Sequence, residues 1–476
     1  MSIEQIYTGC LAQGAYYIQS ENEVAIVDPL REVEPYIAKA KAAGATIKYV
    51  FETHFHADFV SGHIDLARET GAQIVYGPNA VTGFDAHIAK DNETFKVGKL
   101  TIKVLHTPGH TMESACYLLS DEFGKETALF SGDTLFIGDV GRPDLAQKAS
   151  GLTQEGLAGL LFDSLRTRIL TLPDDVIVYP AHGAGSACGK NMSKETTDTL
   201  GNQKKYNYAL RPNMTRDEFI TEVTRGLTAP PVYFPLNVKM NKEGYESFEK
   251  VLSQGTRPLS PEAFEVAANS TGAILLDTRE AQVFAKAFVP NSINIGIDGS
   301  FAPWVGALIP DINQQILLIT EEGREEEVVT RLARVGYDHA IGYLKGGIEA
   351  WVASGNETDS IVSLTVDELA DKVSNHSPVK ILDVRKATEY YAEHIVDAEN
   401  LPLDDINSNM ALLDKNETYY VHCAGGYRSM IFNSMLRARG FTKLVDVKGG
   451  FKVMKDSGRF NLSAYVCPST MPQTNS

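Results

Sequence analysis

Long apolar runs are missing from this sequence. No stretch approaches the roughly 18 uninterrupted apolar residues of a membrane-spanning helix, so no such span is expected. The first residues, Met1 to Gln5, lack the basic start and apolar core of a secretory signal, and none is predicted. Positive charge is in deficit: 44 Lys and Arg stand against 61 Asp and Glu, a formal net charge of −17. That balance argues against nucleic acid or an anionic membrane as main partner, and it bears on solubility, not on fold. Cysteine is scarce as well. Cys10, Cys116, Cys188, Cys423 and Cys467 are odd in number and scattered, which excludes a disulfide framework. They read as free thiols in a reducing compartment, and a cytoplasmic location is the expectation.

What is present is an ordinary globular composition, 43% hydrophobic and 22% charged, in a chain too long at 476 residues for one core. About 150 residues per domain gives about three domains. The first half alternates short β-branched or aromatic runs, at 24–27, 48–51, 73–76, 100–105, 128–130 and 176–179, with helical stretches at 32–43, 63–70 and 154–170. Several runs end directly in polar residues: Phe51 leads to His54, Phe130 to Asp133 and Tyr179 to His182. Loops at strand ends carry chemistry on a rigid scaffold. Residues 193–210 read as a polar helix covering this module, and 241–258 as a connector.

The second half contains an internal repeat. The run 273–280, with Asp277 and Arg279, matches 380–386, with Asp383 and Arg385; the run 344–348, with Gly346 and Gly347, matches 447–451, with Gly449 and Gly450. The first pair lies 106 residues apart and the second 103, so this is a duplicated domain and not a solenoid unit. Each copy alternates strands and helices, which predicts a parallel α/β sheet.

Four segments in the first half hold metal-ligand chemistry. Thr53 to His63 contains His54, His56 and Asp58; then come Thr107-Pro108-Gly109-His110, Ser131-Gly132-Asp133 and Tyr179-Pro180-Ala181-His182. Imidazole and carboxylate are the donors a borderline divalent metal takes. A lone histidine is more often a satisfied core residue, but four such strand-end segments point to convergence. Over about residues 1–240 they resemble the metallo-β-lactamase fold, whose His-x-His-x-Asp signature stands as His54, His56 and Asp58. Hydrolases of that superfamily usually follow this Asp with a histidine that helps hold a second metal; here Phe59 stands there, and His63 does not repair the spacing. A mononuclear site of two histidines and one carboxylate suits non-haem iron(II). The pattern is similar to the persulfide dioxygenase branch. That resemblance implies iron ligands His54, His110 and Asp133, with His56, Asp58 and His182 behind them orienting ligands or a bound water. The segment Gly141 to Asp144 fits the same branch. Arg142 braces the site, meets an anionic substrate, or is an ordinary ion-pair arginine. Thr111 is a candidate substrate contact. Cys188, six residues after His182, reads as a small buried cysteine, with sulfur handling at the metal mouth as the sharper alternative.

In the second half, Tyr419 to His422 leads into Cys423-Ala424-Gly425-Gly426-Tyr427-Arg428, and a helix follows. Glycines let successive backbone N–H groups face inward as an anion nest, and the helix N-terminus and Arg428 add positive potential. Such a setting stabilises a thiolate or persulfide. A buried inert cysteine explains neither glycines nor arginine. With Asp383-Val384-Arg385 upstream and Lys448-Gly449-Gly450 downstream, the loop resembles an active rhodanese domain over about 360–465. This implies Cys423 as nucleophile, Arg428 as its catalytic partner, and Ala424, Gly425, Gly426 and Tyr427 as the substrate cradle. The middle copy reads Leu317-Leu318-Ile319-Thr320-Glu321-Glu322-Gly323-Arg324. It has no cysteine, its loop reads as shortened, and its glutamates repel anions, so it is expected to be inactive.

The expected fold class is therefore α/β: an αββα metallo-β-lactamase sandwich over 1–245, then two α/β rhodanese domains with parallel sheets over 258–356 and 360–466. The chain resembles persulfide dioxygenase–rhodanese fusions. This implies oxidation of a low-molecular-weight thiol persulfide by dioxygen at one Fe(II), giving sulfite and free thiol. Sulfur transfer through Cys423 would then give or use thiosulfate. A homo-oligomer is a family-based expectation. Two other readings remain. One is a zinc-dependent, glyoxalase II-like thioester hydrolase fused to a sulfurtransferase, against which Phe59 counts. The other is a non-catalytic sulfur-carrier platform with Cys423 as its only working site, against which the intact ligand triad counts.

Overall fold

The computed structural model describes residues 1–227, 229–374 and 379–467, with the side chains of 148 and 149 left aside. The chain divides into two compact units, the first comprising Met1–Phe248 with Ala333–Gly336, the second Glu249–Leu332 with Tyr337–Ser476.

The first unit is built on two six-stranded sheets. One runs β1 (Ser2–Thr8), β2 (Gln13–Ser20), β3 (Glu23–Val27), β4 (Thr46–Glu52), β5 (Gln73–Tyr76) and β6 (His87–Ile88) in chain order. The other holds β7 (Thr94–Val97), β8 (Leu100–His106), β9 (Ala115–Ser120), β10 (Glu126–Gly132), β11 (Ile177–Pro180) and β12 (Asp198–Thr199), again neighbour to neighbour. Alternation decides the layers. Tyr16, Ile18, Ala25, Val27 and Phe51 of the first sheet bury against Ile102, Val104, Tyr117 and Phe130 of the second. The intervening Ala15, Tyr17, Val24 and Ile26 point the other way, under Tyr36, Ala40 and Leu66 of two helices. Leu118, Leu129 and Val178 likewise meet Ala158, Leu161 and Leu165. The result is the expected αββα sandwich.

Local chemistry moves several boundaries. The stretch read as one helix over 154–170 is α-helical over Gln154–Ser164, starting at Thr153, whose side chain accepts from Gly156 N, and turns into a π-turn over Leu165–Ile169. Residues 193–210 are only partly helical. Asp198 and Thr199 pair with β11, Thr199 caps a helix over Leu200–Tyr206, and Asn207 caps a last turn at Tyr208–Leu210. The expected connector is also structured, ending the helix Phe234–Glu243 and containing the helix Phe248–Gly255.

The second unit holds two five-stranded sheets of the same topology. They are β13 (Pro258–Leu259), β17 (Ala340–Leu344), β16 (Ile316–Ile319), β14 (Ile274–Asp277), β15 (Ile293–Asn294), and β18 (Val362–Leu364), β22 (Leu444–Val447), β21 (Tyr419–His422), β19 (Lys380–Asp383), β20 (Glu399–Asn400). All their pairings are parallel, as the repeat predicts. The duplicated Asp and Arg make the same structural pair in each copy: Arg279 Nη2 meets Asp277 Oδ2 at 2.6 Å and the Ala287 carbonyl at 3.0 Å, and Arg385 meets Asp383 at 2.5 Å and the Glu393 carbonyl at 2.9 Å. One expectation fails here. The middle copy's loop is not shortened: from Ile319 to Lys345 the chain is as long as from His422 to Lys448. The three-residue difference lies upstream, between Asp277 and Ile319, where a helix at Phe301–Leu308 replaces the short turns between Leu403 and Leu412. Among the described residues no helix is long and apolar enough to cross a membrane.

Candidate metal centre and cysteine loop

Strand β4 delivers residues 53–59 to the edge of the sandwich. Both Thr53 N and Thr53 Oγ1 donate to the Asp28 carboxylate, at 2.8 and 2.9 Å. With its one proton so used, Thr53 Oγ1 accepts from His54 Nδ1 at 2.9 Å. His110 Nδ1 lies 2.8 Å from the Arg142 carbonyl, which only accepts. Both rings therefore carry their proton on Nδ1, and both Nε2 lone pairs are left for something else. They face Asp133 Oδ2, at 3.7 Å from His54 and 3.5 Å from His110. His54 Nε2 and Asp133 Oδ2 are buried without a hydrogen bond. Three buried side chains whose ligand atoms converge, two of those atoms without a hydrogen bond, fit a divalent metal. The expected triad His54, His110 and Asp133 is one of the sets whose ligand atoms gather within 4.8 Å.

The groups behind the triad are also brought together. His182 lies between two carboxylates, its Nδ1 2.7 Å from Asp133 Oδ1 and its Nε2 2.8 Å from Asp58 Oδ2. Burial opposes charge on His182, but Asp133 and Asp58 outweigh it and hold its pKa well above the ordinary value. Burial likewise pushes Asp133 up, yet His182 and His54 bring it well below the usual carboxylate range. Burial and the neighbouring His56 push His54 well down, keeping it neutral. Phe59 is fully buried, its ring 4.4 Å from that of His56.

Other expected residues take less direct places. Arg142 bonds His110 through its backbone, while its guanidinium forms a two-pronged pair with Asp144 at 2.7 and 2.6 Å. Thr111 turns to Ser114, 2.7 Å away. Cys188 is buried as expected, but it lies at the centre, in ligand range of Asp133 and His182. Burial, then the Asp58 and Asp133 charges, push its thiol well up. Sequence reasoning missed Asn241. Its Nδ2 donates to the His56 and Phe59 carbonyls, both at 2.8 Å, and its Oδ1 accepts from Ser61 N, pinning the ligand loop from 180 residues away. It also missed Asp28 and Glu52, whose position at the inner ends of β3 and β4 was the available signal.

In the second unit, β21 ends at His422 and Cys423 is 2% exposed. Gly426 N donates to Cys423 Sγ at 3.1 Å, so one loop amide turns toward the sulfur. Gly426 has φ 104°, which favours glycine. Gly450 is needed for a different reason: a Cβ there would stand 2.4 Å from the Cys423 carbonyl. The Lys-Gly-Gly motif thus lets the following helix close on the cysteine loop, where Phe451 N donates to Cys423 O at 2.7 Å. Ala424 and Gly425 are exposed, at the rim. Arg428 is paired through both prongs with Glu389, at 2.6 and 2.9 Å, so part of its charge is already answered. The side chain of Tyr427 leaves the cradle for the middle copy, donating to the Gly296 carbonyl at 2.7 Å. In that copy Thr320 stands where Cys423 stands, and Arg324 is bound to Asp298 and Glu327.

Two facing sheets with His and Asp side chains gathered at their strand ends define a metal-binding α/β protein of the metallo-β-lactamase fold. The family description "Metallo-beta-lactamase superfamily" matches residues 8–182, and "Rhodanese-like domain" matches 260–354 and 365–457. The chain belongs to the metallo-β-lactamase superfamily and carries two rhodanese-like domains after that part. It is similar to a solved metallo-beta-lactamase of Staphylococcus aureus subsp. aureus COL, at 33% identity and TM-score 0.65, covering 72% of this chain and 98% of that one. It is 31% identical to a probable hydroxyacylglutathione hydrolase of Schizosaccharomyces pombe, over 37% of this chain and 66% of that protein. It is 32% identical to the mitochondrial persulfide dioxygenase ETHE1 of Homo sapiens, over 38% of this chain and 66% of that protein. The chain thus spans just under two thirds of these two curated relatives.

Proposed function

We propose that the chain oxidises a low-molecular-weight thiol persulfide, such as glutathione persulfide, with dioxygen at one iron(II), and moves sulfane sulfur through Cys423. The domains are 1–245 for oxidation, 258–356 for an inactive rhodanese copy and 360–466 for the active one. The observation that carries the reading is the donor set: two imidazoles and one carboxylate converge, while Phe59 offers no ligand. Similarity to a persulfide dioxygenase and the attached rhodanese-like domains support it.

His54, His110 and Asp133 would hold the metal, with Thr53, the Arg142 carbonyl and His182 fixing their orientation. Iron(II), when bound, supplies Lewis acidity, a template with open positions, and redox capacity towards dioxygen. Neutral persulfide, dioxygen and water give thiol, sulfite and two protons, and the ionised persulfide gives one proton. A persulfide is already largely ionised near neutral pH, so no general base is required. At the second site, Cys423 attacks the sulfane sulfur of a persulfide, the thiol leaves, and a cysteine persulfide anion forms. Gly426 N and Arg428 stabilise that anion. Sulfite then takes the sulfur as thiosulfate and returns the thiolate. The same steps run backwards from thiosulfate.

Oxygen uptake with glutathione persulfide tests the assignment. His110→Ala should abolish uptake, and Cys423→Ser should keep it but release sulfite in place of thiosulfate. Unchanged thiosulfate formation by Cys423→Ser would sink the role given to that domain. The second reading, a zinc thioester hydrolase, is favoured by the similarity to a hydroxyacylglutathione hydrolase and by the convergence of His56, Asp58 and His182. Two zinc ions, thioester cleavage and no oxygen uptake would replace the first reading with it.

A further inference from the structure

Beside the triad lies another convergence of ligand atoms, from Asp28 just beyond β3, Glu52 at the end of β4, and His56. All three side chains are buried, and their ligand atoms fall within 4.8 Å of one another. His56 Nε2 stands 3.1 Å from Asp28 Oδ1 and 3.5 Å from Glu52 Oε2. Close as they are, His56 Nε2 and Glu52 Oε2 make no hydrogen bond. The spacing permits one and the direction does not. His54 Nε2 and Asp133 Oδ2 are likewise buried and unbonded, though at 3.7 Å they stand beyond hydrogen-bond reach. Donors that aim past one another at a common point are arranged for a cation. Zinc–ligand distances of about 2.0–2.2 Å place tetrahedral ligands roughly 3.3–3.6 Å apart; the His56–Glu52 separation of 3.5 Å falls in that range and the His56–Asp28 separation of 3.1 Å is slightly shorter. Charge points the same way, since a cation between two buried carboxylates would offset the cost of burying both. Arg31, the buried arginine nearby, is directed at Asp65, 3.9 Å away.

We infer that Asp28, Glu52 and His56 form a second, buried site for a divalent cation of the zinc or manganese kind. His63 stands ready as a neighbour, its Nδ1 3.5 Å from the other oxygen of Glu52 and also without a hydrogen bond. An ion there ties the ligand loop to the ends of β3 and β4, so its role is to hold the triad's scaffold, whatever reaction the triad performs. The site differs from the set His56, Asp58 and His182, which shares His56 but has only one carboxylate.

The test is a metal count on the full-length protein, stripped and reloaded with zinc(II) alone, with anomalous diffraction at the zinc edge of the same protein. Wild type should hold an ion between Asp28, Glu52 and His56. Glu52→Gln should lose one ion per chain, whereas Asp58→Asn and His110→Ala should keep density at this position. No anomalous peak there in wild type overturns the inference. So does a peak that survives Glu52→Gln but vanishes in Asp58→Asn. If Glu52→Gln does not fold, the position of the wild-type peak decides alone.

Discussion

The phenol hydroxyl of Tyr427 donates to the backbone carbonyl of Gly296 at 2.7 Å, so a residue of the cysteine loop is anchored in the copy that has no cysteine. The fit is close: a Cβ on Gly299 would meet the Tyr427 ring at 2.3 Å. The middle copy is thereby part of what shapes the loop. Tyr427→Phe removes one hydrogen bond, and a loss of about 1 kcal/mol in the unfolding free energy of this unit is expected. Sulfur transfer should fall severalfold through KM, measured with thiosulfate as donor, while oxygen uptake stays unchanged.

Gly450 and Gly425 make a matched pair of substitutions. Gly450 has φ 58° and its Cβ would strike the Cys423 carbonyl, whereas a Cβ on Gly425 meets nothing within 4 Å. Gly450→Ala should destabilise by about 1–3 kcal/mol and abolish sulfur transfer. Gly425→Ala should leave the melting temperature within a degree or two. Thermal unfolding and a sulfurtransferase assay on both variants separate steric need from general loop flexibility.

Asp446 gives the second unit a dependence on pH. Burial pushes its carboxyl up to about 6, against the hydrogen bonds from Ser429 and Gln282, each 2.8 Å long. A raised acid pKa means the folded state holds the proton that the unfolded state has already released. Stability therefore declines as pH rises from about 4 to about 6 and stays lower above that, by on the order of 3 kcal/mol. Asp446→Asn should flatten that slope in denaturant unfolding measured across the same range.

His182 holds Asp133 through one nitrogen and Asp58 through the other. His182→Asn should weaken metal binding by about 10–100-fold, because the ligating carboxylate loses its orienting partner. A competitive chelator titration reads this directly. Equal affinity in the variant would show that Asp133 is held by packing alone.

Much of this was legible in the chain. The segments carrying His54, His110, Asp133 and His182 were legible as polar strand ends, and the choice of His54, His110 and Asp133 among them came from the resemblance to persulfide dioxygenases. Cys423 was legible because glycines, an arginine and a following helix have few other reasons to occur together. The misjudged loop of the middle copy has a plain cause. Repeat markers fix a total length, and only the strand positions show that the extra three residues lie before Ile319.

Sequence by itself determined the α/β class, the repeat and the ligand types, because these depend on residue identity and local periodicity, while the loss of a ligand at Phe59 was read from the resemblance to the metallo-β-lactamase superfamily. Tertiary structure decided the rest. It turned the guanidinium of Arg142 to Asp144, drew Cys188 to Asp133, brought Asn241 back to the ligand loop and placed Asp28 and Glu52 around His56. Apart from the Arg142–Asp144 and Glu52–His56 pairs, these are contacts between segments far apart in the chain. Such contacts are set by how sheets and helices stack, and no local pattern records them.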